Sequence, residues 1–144
     1  MNRVRRARRE EAAALADLWL QSRAAAPIPA PAHSEREVRE WIGQVLLPSH
    51  EVWVSTVSAT PVAMLALDRG WVEQLYVSPS HQRQGHGTRL LELAQTREDA
   101  LALWTFESNV PGQLFYESRG FIRSGSGSDD NEEGAPAILY RWKR

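Results

Sequence analysis

The chain has 144 residues, 42% of them hydrophobic and 24% charged, an ordinary composition for a globular protein, so we expect residues 1–144 to fold as a single domain. A net charge of −1 argues against a nucleic-acid partner, and without an apolar run of about 18 residues we expect no membrane span. The absence of cysteine excludes disulfides, thiolate metal sites and a cysteine nucleophile, and it fits a cytoplasmic location.

The first third of the chain predicts a short strand and two helices. The arginine-rich start is interpreted as a solvated strand leading into a helix, with a nucleic-acid-binding arm as the alternative. Apolar residues recur at helical spacing through residues 10–22, and a proline-rich loop follows. Ser34 and Glu37 have the spacing of a capping box, so a second helix is expected to begin there and to end at Pro48.

The middle of the chain predicts a three-stranded meander. Apolar runs rich in β-branched residues lie at 51–57, 62–68 and 71–77. The connections between them are too short for a crossover, so the strands are expected to pair antiparallel.

The last half of the chain alternates helices and strands. Its predicted elements are a helix after Gly87 with Leu90, Leu91 and Ala94 on one side, a strand at 101–106, a helix at 111–119, and strands at 121–124 and 137–142 joined by a polar loop at 125–136. A strand, a helix and a strand in succession predict one parallel pair. We therefore expect a mixed α/β fold, with a mostly antiparallel sheet of about six to seven strands flanked by about four helices.

A glycine turn stands between the strand at 71–77 and the helix that follows it. Glycines 85 and 87 allow an anion to approach the uncapped N–H groups of a helix start. Arg83 adds a guanidinium group, which is positively charged and can donate two parallel hydrogen bonds. A P-loop is excluded because Thr88 stands where its lysine would be, and a dinucleotide fingerprint because Leu90 replaces its third glycine. A pyrophosphate site is the preferred interpretation, and a turn that merely starts a helix is the alternative.

Two segments carry a resemblance to a known family. The pattern Gln-x-x-Gly-x-Gly after a strand that ends in Leu-Tyr-Val resembles motif A of the GNAT superfamily of acetyl-CoA-dependent N-acetyltransferases. The segment ESNVPGQLFYESRGF, residues 107–121, resembles the stretch that these enzymes place after their fifth strand. Weaker similarities at both ends extend the resemblance over nearly the whole chain.

The resemblance implies roles for particular residues. Backbone groups of Leu75, Tyr76 and Val77 are expected to face the pantetheine arm of acetyl-CoA. The residues expected to bind its pyrophosphate are Gln82, Arg83, Gln84, Gly85, His86, Gly87 and Thr88. Asn109 is expected to contact the pantetheine, and Phe115 to pack beside the cofactor. Tyr116 would protonate the leaving thiolate, the alternative being a half-buried aromatic residue with no chemical role.

Glu73 is the predicted general base. An ionised carboxylate inside an apolar strand is costly unless it has a partner or faces a cleft, and family members often carry an acidic residue at this position. The alternative is a glutamate on a solvated strand face.

Other polar and aromatic residues are given weaker interpretations. The four histidines lack metal-ligand spacing, so no metal is expected, and we expect them in loops or at the surface. The acidic residues between 129 and 133 are interpreted as a solvated loop in preference to an amine-attracting cluster. Trp71 and Trp104 are expected in the core in preference to a cleft.

Taken together, the sequence predicts an enzyme that transfers an acetyl group from acetyl-CoA to a primary amine within a ternary complex. The acceptor is a small-molecule or peptide amine, entering between the strand of Glu73 and the proline-rich loop near Pro27 to Pro31. The alternative function is a non-catalytic CoA-binding module. A homodimer through the last strands is a further expectation.

Overall fold

The computed structural model describes residues 2–125 and 129–144, so residues 126–128 of the predicted polar loop lie outside the described residues. The strands are β1 (Asn2–Arg6), β2 (Glu51–Val57), β3 (Thr60–Asp68), β4 (Trp71–Val77), β5 (Ala100–Phe106), β6 (Ile122–Arg123) and β7 (Ala137–Lys143). The helices are α1 (Ala12–Ala25), α2 (Glu35–Trp41), α3 (His86–Arg97) and α4 (Val110–Ser118). Within the described ranges, no helix is both long enough and apolar enough to cross a bilayer.

The strands form one sheet in the order β1-β2-β3-β4-β5-β7-β6. Every neighbouring pair is antiparallel except β4 and β5, which are parallel and, among the described residues, are paired only where Trp71 lies opposite Ala102. The predicted mixed fold with one parallel pair is confirmed. Because the pairing stops so early, the sheet is not hydrogen-bonded between the carboxyl ends of β4 and β5.

Helices cover both faces of the sheet and form two apolar layers. One layer packs α1 and α2 against the sheet, with Leu15, Ile42 and Met64 fully buried. The other packs α3 and α4 against the opposite face, around residues such as Leu90 and Tyr140. Burying side chains of this size contributes roughly 1.5–3 kcal/mol each, so the two layers fix the helices on the sheet.

Helix α2 continues further than predicted. Its capping box is present, since the Ser34 hydroxyl accepts from the Glu37 N–H and the Glu37 carboxylate accepts from the Ser34 N–H. The helix then passes through a π-helical turn, Ile42–Leu46, and ends with Leu47–Ser49. Pro48 lies near the end of this continuous helical run, which stops one residue later at Ser49, so the observed end differs from the predicted one by a single residue.

A β-bulge interrupts the pairing of β3 with β4. Ala66 pairs with Gln74 and Leu67 with Val72, so Glu73 is an extra residue with no partner in the register. A bulge bends its strand and redirects one side chain. The bulge therefore breaks the regular alternation of side chains along β4 at Glu73.

Candidate active site

The glycine turn has the backbone of an anion site. Gly85 is the N-cap residue of α3 with φ +85°, and Arg83 also has a positive φ, +62°. Among the residues that the structure describes, no side chain caps this helix start. Its first N–H groups are therefore free of side-chain partners, which is the arrangement that binds phosphates. Gln82, Arg83 and Gln84 are exposed on the turn, and Thr88 is half-buried in the first helical turn.

Gly87 lies where three elements meet. A Cβ at this position would lie 3.4 Å from Cγ2 of Val77 at the end of β4 and 3.6 Å from Cζ of Phe115 on α4. Leu75, Val77 and Phe115 pack together on the same apolar layer. The structure thus brings the predicted pantetheine strand, the phosphate turn and the predicted cofactor-packing residue into one place.

His86 is not the loop or surface histidine that was expected. It is the first residue of α3 and only 1% exposed. Its Nδ1 lies 2.7 Å from the Ser55 hydroxyl and 2.9 Å from the guanidinium of Arg89. A guanidinium can only donate, so Nδ1 accepts and Nε2 carries the ring proton. Burial, together with the charges of Arg89 and His81, lowers the pKa of His86, so the ring is neutral.

Arg89 is a residue that sequence inspection missed. Its Nη1 would be 3.3 Å from a Cβ on Gly85, so the guanidinium lies over the glycine turn. The signal was available in principle, because residues four apart share one helix face and a long side chain is directed toward the helix N-terminus. The Nε2 of His86 has no hydrogen-bond partner among the residues that the structure describes.

Asn109 precedes helix α4, and Tyr116 lies within it. Asn109 is the N-cap, and its Oδ1 accepts from the N–H of Gly112 at 3.1 Å. The Tyr116 ring packs against Phe115, with ring centroids 5.4 Å apart, and against Phe121 at 5.7 Å. Burial, reinforced by the neighbouring Tyr76, raises the pKa of Tyr116 well above its ordinary value. Its phenol therefore keeps its proton at neutral pH.

A cleft of about 770 Å³ opens on the α1 and α2 face, at the gap between β4 and β5. Its carboxylates are Glu37, Glu40, Glu73, Asp130, Glu132 and Glu133. Its aromatic side chains are Trp19, Trp41, Tyr76, Trp104 and Phe106. The expectation that Trp71 and Trp104 lie in the core is wrong, because both are exposed and Trp104, 51% exposed, lines this cleft.

Arg23, at the end of α1, joins the walls of the cleft. It donates to the Tyr76 hydroxyl at 3.0 Å and to the carbonyl of Pro29 at 3.2 Å, and its guanidinium lies 3.7 Å from the Glu133 carboxylate. It also stacks over the Trp19 ring at 4.7 Å. The loop before β7 is therefore not simply solvated, as was expected. Its Glu133 side chain is mostly buried against this arginine, since only 16% of it is exposed.

The bulged Glu73 faces the same cleft and has a histidine partner. His50 follows the last turn of α2, is only 13% exposed, and places Nε2 in hydrogen-bond contact with the Glu73 carboxylate. Its Nδ1 lies 2.8 Å from the Ser49 hydroxyl. One potential ligand atom from each of His50, Asp68 and Glu73 lies within 4.8 Å of the others. That no metal takes part stays a prediction.

Comparison with known proteins identifies the family. The family model described as an acetyltransferase (GNAT) domain matches residues 48–123, more than half of the chain. A relative, the peptidyl-lysine N-acetyltransferase YjaB of Salmonella typhimurium, is 29% identical over 140 residues, covering 96% of this chain and 95% of that protein.

Solved structures share the fold. The solution structure of apo-form YjaB from Escherichia coli has a TM-score of 0.80 at 24% identity, covering 99% of this chain and 97% of that one. The crystal structure of the PaiA N-acetyltransferase from Thermoplasma acidophilum in complex with coenzyme A has a TM-score of 0.74 at 16% identity, covering 100% and 99%. The predicted resemblance is confirmed: the chain belongs to the GNAT family and is an acetyltransferase.

Proposed function

We propose that this enzyme transfers the acetyl group of acetyl-CoA to the primary amine of a cationic acceptor, directly and within a ternary complex. The observation that supports it most is the juxtaposition at the β4 and β5 gap. The glycine turn and Phe115 lie on one face of the sheet, and the acidic aromatic cleft lies on the other. An acyl donor and an amine could therefore meet between the two strands.

The residues present fit a CoA pyrophosphate. The start of α3 has no side-chain cap within the described part of the chain, and Gly87 leaves room that a larger side chain would fill against Val77 and Phe115. The Arg89 guanidinium lies over this turn, and Arg83 is an exposed residue of the turn itself. The solved relative that contains coenzyme A shares this fold, which adds support from a different protein.

The acceptor is proposed to be the side-chain amine of a lysine in a peptide. Of the described residues, six carboxylates line the cleft against two basic side chains, Arg23 and His33, and each of these two is already paired with a carboxylate there. Indole rings and carboxylates together suit an alkylammonium group. The curated relative is named a peptidyl-lysine N-acetyltransferase, in agreement with this chemistry.

In this proposal, one side chain removes a proton from the amine and another donates a proton to the leaving sulfur. When bound, acetyl-CoA supplies a thioester carbonyl that an uncharged amine can attack. Glu73 faces the cleft and takes a proton from the amine, for which a carboxylate at the cleft wall is suited. Tyr116 keeps its phenolic proton at neutral pH and gives it to the departing sulfur. We further propose a cytoplasmic location and, through the last strands, a homodimer.

The test is calorimetric titration with acetyl-CoA, CoA and ATP, followed by turnover assays on a lysine peptide. Binding of acetyl-CoA and CoA but not ATP, with acetylation of the lysine amine, is the expected result. CoA binding without turnover on any amine would favour a non-catalytic CoA-binding module. Failure to bind CoA would remove the pyrophosphate interpretation of the glycine turn.

The acceptor class has its own discriminating measurement. The ratio kcat/KM is compared for matched peptides in which residues flanking the lysine are either basic or acidic. We expect the basic peptide to be preferred about tenfold or more at low salt, and the preference to shrink as ionic strength rises. Equal rates for both peptides would contradict the assignment of the acidic cleft to the acceptor.

A further inference from the structure

We propose that Lys143 is an acetylation site for this enzyme itself, modified by a second copy of the chain whose acidic cleft recognises the basic surroundings of this lysine. The inference rests on the proposed function, in which the acceptor is a lysine amine. Of the 17 lysine and arginine residues, Lys143 is the one lysine, and a guanidinium is not an acceptor in that reaction. Any lysine acetylation of the chain must therefore fall at this position.

The side chain of Lys143 is free to enter another molecule. Lys143 is the last residue of β7, its backbone pairs with Ala100 at the start of β5, and the residue is exposed. Among the residues that the structure describes, none forms a hydrogen bond or an ion pair with its ammonium group. The backbone is held in the sheet while the long side chain extends into solvent, so the amine can reach a neighbouring cleft without any unfolding of β7.

The surroundings of Lys143 are basic. Arg141 and Arg144 flank it in the chain. Together with Arg69 and Arg141 it lines a hollow of about 570 Å³, and no carboxylate lines that hollow within the described part of the chain. This is the flanking context that the acidic acceptor cleft is proposed to prefer.

Two carboxylates near the hollow offset part of its charge. Asp99 accepts from the Arg144 guanidinium at 3.0 Å, and Asp68 lies 3.9 Å from that of Arg69. Within the described ranges, Arg141 and Lys143 have no carboxylate partner. The hollow therefore keeps a positive charge, which the carboxylates that line the cleft of a second copy attract.

The register of the sheet places Lys143 too far from the base of its own chain. Trp71 lies opposite Ala102, which pairs with Arg141. From that level Glu73 is two residues along β4 toward one end of the sheet, and Lys143 is two residues along β7 toward the other. With two strand spacings between them, the two backbones are roughly 16 Å apart. A lysine side chain does not span this distance, so the acetyl group must come from a second copy.

The transfer balances in atoms and protons. The ammonium group of Lys143 first loses one proton to solvent. Its nitrogen then bonds to the carbonyl carbon of the thioester, and its next proton passes to Glu73 of the acetylating copy. The carbon–sulfur bond breaks, the electron pair leaves with sulfur, and sulfur takes a proton from Tyr116 of the same copy. The products are an acetylated Lys143 and the thiol of CoA.

The test mixes two variants with acetyl-CoA and follows each by intact mass spectrometry. The acetylating copy is Lys143→Arg, which has no lysine, and the substrate copy is Tyr116→Phe, whose own activity should be low. We expect the substrate copy to gain one acetyl group about tenfold or more faster in the mixture than alone. Cleavage after glutamate gives a peptide of residues 134–144, whose fragmentation should place the acetyl group on Lys143. Glu73→Gln as a second substrate copy covers the case in which Tyr116→Phe does not fold.

Further changes in the substrate copy test the recognition by charge. Adding Arg141→Gln to that copy should slow the acetylation of Lys143 about threefold or more at low salt. Arg123→Gln is the matched control, because Arg123 is an exposed arginine of the neighbouring strand β6 that does not line the hollow. It should leave the rate within about twofold. Equal rates for the two variants would overturn the assignment of recognition to the basic hollow.

A parallel assay separates the inference from the proposed function. The Lys143→Arg copy is also given a lysine peptide. If it acetylates the peptide but not Lys143 of the substrate copy, or if the acetyl group appears only at another amine, the inference alone fails. If it acetylates neither, the proposed function fails and the inference with it. Acetylation of Lys143 in wild type without any transfer in the mixture would place the reaction within one copy and overturn the role of the second.

Discussion

The fold has room for a Cβ at Gly87, so we attribute the glycine to the pyrophosphate that is proposed to bind there. A Cβ there would meet Val77 and Phe115 at 3.4 and 3.6 Å, which are ordinary contacts. Gly87→Ala should therefore fold normally, with a gain of up to about 1 kcal/mol from helix propensity. Gly87→Asp should fold as well, because a carboxylate in the first turn of a helix is favourable.

The two Gly87 variants should differ sharply in acetyl-CoA affinity. The aspartate places a negative charge where the pyrophosphate is proposed to bind, so we expect affinity to fall below detection, by about 100-fold or more. Alanine should cost about tenfold through crowding alone. Calorimetry gives the affinities, and thermal unfolding shows that both proteins are folded. Near wild-type affinity in Gly87→Asp would place the phosphate elsewhere.

Tyr116 is half-buried and Tyr140 is fully buried, and the two phenols have different expected roles. Tyr116→Phe should lower kcat about 100-fold and leave acetyl-CoA affinity within about twofold, because only the proton donor is removed. Tyr140 donates to the Glu117 carboxylate at 2.6 Å, so Tyr140→Phe should instead cost about 1–2 kcal/mol of stability with kcat retained. Steady-state kinetics and urea unfolding of both variants make the comparison. A loss of cofactor binding in Tyr116→Phe would contradict the acid role.

At the scale of elements, one buried arginine holds α1, the proline-rich loop, β4 and the loop before β7 together. Arg23 is 8% exposed, and removing it leaves the Tyr76 hydroxyl and the mostly buried Glu133 carboxylate without their cationic partner. Arg23→Met should therefore lower the free energy of unfolding by about 2–3 kcal/mol.

The matched control for Arg23 is a surface arginine. Arg36, with 88% of its side chain exposed, pairs with Glu40, and Arg36→Met should change the free energy of unfolding by less than about 1 kcal/mol. Urea unfolding of the two variants measures the difference. Equal stabilities would mean that Arg23 does not hold these elements together.

At the scale of elements, some features follow from local sequence patterns and others do not. The meander, the glycine turn and the helix after it follow from local patterns: alternation, short connections and glycines at a helix start. The position of His50 depends on a π-helical turn, and that of Glu73 on a bulge. Neither irregularity has a signal in the alternation, spacing or capping residues of the sequence. The mispredicted surroundings of His86 and Trp104 have the same origin, since burial is decided by distant strands and loops.

At the scale of the whole molecule, stability should fall as the pH is lowered, in two separate windows. Burial lowers the pKa of His86, so the unfolded chain binds a proton there more readily than the folded one. Its contribution is fully present above the ordinary histidine pKa and is lost as the pH falls from there through the lower pKa of the folded state. The hydrogen bond from Arg5 lowers the pKa of Glu11, so a second loss begins only below the ordinary glutamate range.

The first window isolates His86. We expect the free energy of unfolding in urea to be lower at pH 5.5 than at pH 7.5, and the difference to shrink in His86→Asn. His33, whose pKa is raised by Glu132, acts in the opposite sense, because the folded chain binds its proton more readily and gains stability as the pH falls. It is well exposed, so this gain is strongly screened by solvent, and His33→Gln should leave the pH difference nearly unchanged. A wild-type difference that survives in His86→Asn would mean that another group is titrating.

Because His86 begins the helix whose N-terminus is proposed to hold the pyrophosphate, saturating CoA should raise stability at both pH values by mass action while the wild-type pH difference persists.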